Sequence, residues 1–185
     1  MKKVWLPHGF NYLKFRFERF IAMKRKTVLV YLLAFLLMTA PLFSIAQGAT
    51  MPAFKMMLTN GKSFSSTQLS SQKPTIIIYF APDCEHCQIL MNEVFKKIND
   101  FKTSQIVMVT FEPLKELTGF QKLHQTFKYP NIKVGSELPV FFFKNYYNLQ
   151  HTPFTALFDK NKKLVVSYKD QTPVTDLIKK LKALH

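Results

Sequence analysis

The chain has 185 residues, 48% of them hydrophobic and 20% charged, which gives room for a folded domain and excludes a disordered tail protein. Five Gly, ten Pro and two Cys exclude collagen-like chains, flexible linkers and a scaffold held by several disulfides. The formal charge of +15 is uneven: residues 1–46 hold eight basic residues and one acid, Glu18, and all 18 basic residues after that are Lys. Without Arg in that part there is no bidentate grip on phosphate or guanine, so nucleic acid is not an expected partner and the Lys read as solvated surface.

Lys24-Arg25-Lys26 precedes the uncharged, almost wholly apolar Thr27–Phe43, and Ser44-Ile45-Ala46 follows with small residues. Basic flank, apolar core and small-residue cut site are the layout of a secretory signal. The alternative is an uncleaved anchor, because Val28–Ala46 as a helix spans about 28 Å, close to a bilayer core. Pro41 and the small residues after it favour cleavage. Residues 1–22 are basic and aromatic, which suits either a membrane-surface segment or, preferably, sequence upstream of a true start at Met23. The expected organisation is therefore residues 1–46 as export signal or membrane anchor and 47–185 as one folded domain. That domain is expected in the periplasm or another extracytoplasmic space, free or tethered through residues 27–46, where disulfide chemistry is available.

Within the domain, Ala53–Leu58 and Lys62–Phe64 flank Asn60-Gly61 and read as a hairpin with a two-residue turn. Thr75–Phe80 is β-branched and aromatic without alternation, a strand buried on both faces. After Ala81-Pro82-Asp83-Cys84-Glu85-His86-Cys87, Met91, Val94, Phe95 and Ile98 fall on one helical face. Gln105–Phe111 is a second buried strand, and strand–helix–strand predicts a parallel pair. Glu112-Pro113 opens a helix running to about Phe127, with Leu114, Leu117, Phe120 and Leu123 as its apolar side. Pro139–Phe143 reads as a short strand, and the aromatics of 141–147 suit either core or exposed surface. Thr155–Phe158 and Leu164–Tyr168 form an antiparallel pair, and Thr172-Pro173 caps a last helix with Val174, Leu177, Ile178 and Leu181 inward.

The only two cysteines stand two residues apart, after a buried strand and at the start of a helix. There free N–H groups and the positive helix end stabilise an anion, so Cys84 is the expected nucleophilic thiolate. Cys87, one turn deeper, is the expected resolving thiol that displaces the captured partner. No metal is expected, since zinc needs four ligands and there is no second Cys pair. A soft-metal module built on Cys84, Cys87 and His86 with His124 or His151, for copper delivery, is one rival reading. A redox-inert binding domain using residues 141–147 is another.

These segments resemble the thioredoxin superfamily, in particular the exported TlpA/ResA-like thiol–disulfide oxidoreductases. The resemblance spans about residues 53–184 and is carried by Phe54, Asn60-Gly61-Lys62, Lys73-Pro74-Thr75, Phe80–Cys87 and Thr152–Asp159. It implies an α/β, thioredoxin-like fold: a central mixed sheet flanked by helices, with an added N-terminal β-hairpin. It implies a cis Thr152–Pro153 bond facing the cysteines, with the Thr152 main chain and Pro153 binding an extended substrate. No cofactor is implied beyond the Cys84–Cys87 dithiol. The implied partners are exported proteins whose thiols or disulfides it exchanges, and a membrane redox protein that resets the pair. The implied enzyme is a protein disulfide reductase or isomerase, serving cell redox homeostasis.

The sequence departs from that pattern where a buried acid often serves the second cysteine, six residues before the first Cys (Ile78 here) or six after it (Leu90 here). Glu112 is a candidate replacement, or simply a solvated helix-start acid. His86 favours the Cys84 thiolate while Asp83 and Glu85 oppose it, which leaves the redox direction open. Peroxide reduction is not expected, because the Thr or Ser three residues before a peroxidatic Cys and the Pro seven before it are Ala81 and Ile77 here.

Overall fold

The computed structural model describes residues 50–184, with Thr27 and residues 29–31, which are helical. The chain divides into two compact units, Met1–Ile45 and Ala46–His185. Apart from those helical residues, the expected signal or anchor and the choice between Met1 and Met23 lie outside the described residues. Among the described residues no helix is long and apolar enough to cross a membrane.

The second unit begins with strands β1 (Lys55–Leu58) and β2 (Ser63–Ser65), followed by β3 (Thr75–Tyr79), helix α1 (Glu85–Lys96) and β4 (Gln105–Thr110). Helix α2 (Leu117–His124), β5 (Ile132–Leu138), α3 (Phe142–Tyr147), β6 (Phe154–Phe158), β7 (Leu164–Lys169) and α4 (Val174–Lys182) complete it. The seven strands make one mixed sheet in the order β2-β1-β5-β4-β3-β6-β7. Strands β3, β4 and β5 are mutually parallel; β1 and β6 run antiparallel to them, and the outer β2 and β7 run antiparallel to β1 and β6 in turn. This is the expected flanked mixed sheet.

Every residue of β3 is buried because both faces of the sheet are covered. Ile76 and Ile78 pack with Cys87, Leu90 and Met91 of α1, Leu117 of α2 and Leu177 of α4. Ile77 and Tyr79 point the other way, to Val107, Val109 and Phe143 of α3. Strand alternation thus sorts one apolar run into two cores.

Four expectations change. The hairpin loop has three residues, Thr59–Gly61: the Leu58 N–H on the Lys62 carbonyl closes it, and Gly61 takes the left-handed φ of +76°. The hairpin itself is present as expected, and its strand β1 joins the sheet by pairing with β5, so closely that a Cβ on Gly135 would meet the Met57 carbonyl. The helix after Glu112-Pro113 is broken into a short 3-10 turn and α2, which stops at left-handed Gln125; Leu117 and Phe120 are buried, but Leu123 is 71% exposed. Residues 139–143 are no strand: Leu138–Pro139 is a cis bond, after which the chain turns into α3. Finally, Thr172 does not cap α4, since its hydroxyl bonds Thr155 Oγ1 at 2.7 Å and Pro173 stands at the cap.

Candidate functional site

Strand β3 delivers the chain to a turn in which the Cys84 N–H bonds the Ala81 carbonyl at 3.2 Å. Cys84 then takes the N-cap of α1, with extended φ −77° and ψ 120°. Its sulfur accepts the Cys87 N–H at 3.3 Å, the bond a Ser or Asp cap ordinarily makes. Cys87 is 1% exposed, and Cys84 is partly open. Both are free thiols.

These surroundings drive the two ionisations apart. Burial opposes a charge on Cys84. Hydrogen bonds from the Cys87 thiol, the Thr152 side chain and the N–H groups of Cys87 and His86 outweigh it and hold Cys84 below the ordinary thiol value. Burial, aided by the hydrogen bond to Cys84, pushes Cys87 up to about 12. One sulfur is an anion-ready nucleophile at the surface, and the other is a protonated reserve beneath it.

Register explains how Thr152 reaches this pair. Tyr79 faces Phe154 across β3 and β6, so the residues after Tyr79 and those before Phe154 leave the sheet at the same rim. The Cys84 thiol stands 3.5 Å from the Thr152 carbonyl. Thr152–Pro153 is cis, and Pro153 is buried. A cavity of about 710 Å³ opens beside Cys84 and Thr152, walled by Phe111, Phe141, Lys144 and Leu149 with Tyr79 among its lining.

Of the residues the sequence singled out, Cys84, Cys87, Thr152 and Pro153 come together. His86 is exposed and lines the cavity; Asp83 and Glu85 are exposed on the turn and the first turn of α1. Glu112 bonds through its N–H to Thr110 Oγ1, and no hydrogen bond joins it to either cysteine. Ile78 and Leu90 pack around Cys87, so that thiol rests against hydrocarbon. His151 lines the cavity, whereas His124 stacks on Phe95 elsewhere. Among the described residues no three His, Cys, Asp or Glu side chains converge as metal ligands.

The sequence reading missed Glu137. It is fully buried at the end of β5 and accepts bonds from the Tyr79 hydroxyl at 2.9 Å and from the Phe141 and Phe143 N–H groups at 2.8 Å each. The carboxylate anchors the entrance of α3, and with it Phe141, whose φ is +64°, and Lys144 in the cavity wall. A lone acid ahead of Leu-Pro in an apolar segment was the available signal.

The sequence model of the AhpC/TSA family matches residues 47–180. Among curated proteins none matches the chain. Among solved structures, a thioredoxin-like protein from Porphyromonas gingivalis is 22% identical with a TM-score of 0.58, over 74% of this chain and 92% of that one. The exposed lipoprotein thioredoxin of Streptococcus pneumoniae is 19% identical with a TM-score of 0.55, over 72% and 100%. A secreted Mycobacterium tuberculosis disulfide oxidoreductase homologous to E. coli DsbE is 13% identical with a TM-score of 0.59, over 71% and 96%. At these identities the likeness establishes the thioredoxin-like fold.

Proposed function

The chain belongs to the AhpC/TSA family, within the thioredoxin superfamily, and from that premise we propose that it is a thiol–disulfide oxidoreductase acting on exported proteins through Cys84 and Cys87. The observation that carries the reading is the Cys84 sulfur capping α1 on the Cys87 N–H while the Cys87 thiol lies buried beneath it. In the reducing direction the Cys84 thiolate attacks one sulfur of a client disulfide. A Cys84–client bond forms, the client S–S bond breaks, and its second sulfur leaves as a thiolate. Cys87 then gives up its proton and attacks Cys84, releasing the first client sulfur. Two electrons pass to the client and the Cys84–Cys87 disulfide remains, to be reset by a membrane redox protein. With hydrocarbon around Cys87, the departing client thiolate is itself the base for that proton. The reverse sequence oxidises a client dithiol.

The Thr152 main chain lies where an extended client would pair, next to Cys84. Ala81 and Ile77 argue for disulfide exchange over peroxide reduction. The signal layout of residues 24–46 supports an extracytoplasmic location. So do the secreted oxidoreductase and the exposed lipoprotein among the structural neighbours.

Insulin reduction tests the reading: turnover is expected from the native chain and none from Cys84→Ser, while Cys87→Ala accumulates mixed disulfides with exported proteins. Undiminished turnover by Cys84→Ser ends it. The reduction potential assigns direction, with values well below about −200 mV marking a reductant and values near about −120 mV an oxidant.

A further inference from the structure

The Thr152–Pro153 segment separates two cavities of different character. The larger lies on the α3 side of Cys84, with the aromatic walls Phe111 and Phe141 and the cation Lys144. The smaller, about 270 Å³, lies on the α1 side against Pro153 and is lined by Ile89, Leu90 and Glu93. They meet at His86, Asp170 and Gln171, which line both. His86 and Asp170 being common to both, the two ends differ in charge by Lys144, with His151 beside it, at the larger and by Glu93 at the smaller, which holds no Lys.

Among the described residues none of Lys144, Glu93 and Asp170 is in an ion pair; the Lys144 ammonium instead lies 5.4 Å from the centre of the Phe141 ring. Apolar side chains stand exposed at both ends, Phe141 at 43% and Ile89 at 53%. Exposed apolar residues beside unpaired charges of opposite sign are what an incoming polypeptide would satisfy.

We propose that this cleft reads the polarity of its client: one flank of the client's reactive cysteine is aromatic and acidic, over Phe141 and Lys144, and the other is aliphatic and basic, over Ile89 and Glu93. The inference rests on the redox reading above. An extended client crossing Thr152 puts its cysteine at Cys84 and one flank over each cavity. Charge order along the client then selects partners and on-rates without entering the sulfur chemistry.

The test uses two isomeric short peptides, each carrying one cysteine as a mixed disulfide with thionitrobenzoate. One has Phe-Glu before the cysteine and Leu-Lys after it; the other has these flanks exchanged. Composition and net charge are the same. The reduced protein's Cys84 attacks the peptide sulfur, thionitrobenzoate leaves and is read by its colour, and Cys87 then frees the peptide. Each rate is normalised to that variant's rate with hydroxyethyl disulfide. Because two exposed charge pairs switch from attraction to repulsion between the isomers, the expected rate ratio is about tenfold, narrowing at high salt. In the double variant Lys144→Glu, Glu93→Lys the preferred isomer changes. Equal rates for both isomers, or a preference the double variant leaves unchanged, overturn the inference while leaving the redox reading intact. Failure to react with either peptide and with hydroxyethyl disulfide overturns both.

Discussion

Tyr79 and Glu137 are 58 residues apart in the chain and 2.9 Å apart in the fold, hydroxyl to carboxylate. The bond ties the last residue of β3 to the end of β5 beneath the cavity wall. Removing the carboxylate orphans the Phe143 N–H in a buried setting and frees the entrance of α3. Glu137→Ala is expected to lose about 3 kcal/mol in urea denaturation. Glu137→Gln should lose less, because its amide oxygen keeps the Tyr79 and Phe141 bonds while its NH₂ faces the Phe143 N–H. Equal stability of the alanine variant and the native chain would contradict this account of α3.

Glu137 and His124 give the stability opposite pH slopes. Burial raises the Glu137 carboxyl against the opposing bonds from the Phe143 N–H, Tyr79 and the Phe141 N–H. The fold therefore holds a proton that the unfolded chain has released, and stability falls as pH climbs from about 4.3, the unfolded value, to the raised one. Burial lowers His124, which lies against Phe95 and Phe120. There the unfolded chain takes the proton first, so stability is lost as pH drops below about 6.5 toward the lowered value. Urea midpoints across the acid range should show Glu137→Gln removing the first slope and His124→Gln the second.

The thiols should alkylate in order. With iodoacetamide at neutral pH, the reduced chain is expected to gain one adduct, on Cys84, with a half-maximal rate at a pH below that of an ordinary free thiol. Cys87, held up to about 12, should stay unmodified until the chain is unfolded. Mass spectrometry of the digested protein reads both sites. Adducts distributed evenly between the two sulfurs would remove the asymmetry on which the exchange order depends.

Gly135 is where β1 and β5 approach too closely for a side chain. Opposite Leu58 in the β1–β5 ladder, it leaves no space for a methyl group under the Met57 carbonyl and the Met56 side chain. Gly135→Ala is expected to cost about 1–3 kcal/mol by overpacking, with protease cutting first in the β1–β2 hairpin. Gly119, with open space around it, serves as the control: alanine there should be neutral or stabilising.

What the sequence revealed was what neighbours in the chain decide. Cys84 and Cys87 are placed by a strand, a turn and a helix start, all within a dozen residues, and β3 announces itself by an apolar run that only a doubly covered strand tolerates. What it hid depends on distant partners. Pro-Val-Phe-Phe-Phe at 139–143 has the composition of a strand. It turns because Pro139 lacks an N–H and because Glu137, four and six residues back, accepts the N–H groups of Phe141 and Phe143. The cap of α3 is therefore supplied from a strand, outside the usual capping position. Leu123 follows Phe120 by three residues, a step that drifts off a 3.6-residue helical face, and the inward position of that turn goes to His124, which packs on Phe95 and Phe120. Thr172 looks like a cap and is instead occupied with Thr155. Glu112 read either as an acid for Cys87 or as a solvated helix-start acid, and the fully buried acid at this rim, Glu137, is on the next strand over.

The sulfurs ride on α1, directly after β3. Phe141, Lys144, Leu149 and Thr152 ride on the single connection from β5 to β6. On the proposed reading, one client-contacting end of the cleft is thus carried by a stretch of chain separate from the sulfurs, and the other by α1 itself. If that reading holds, substitutions or length changes between Val140 and His151 would alter the aromatic, Lys144-bearing end alone, in evolution or in the laboratory, and leave α1 with its sulfurs as it is.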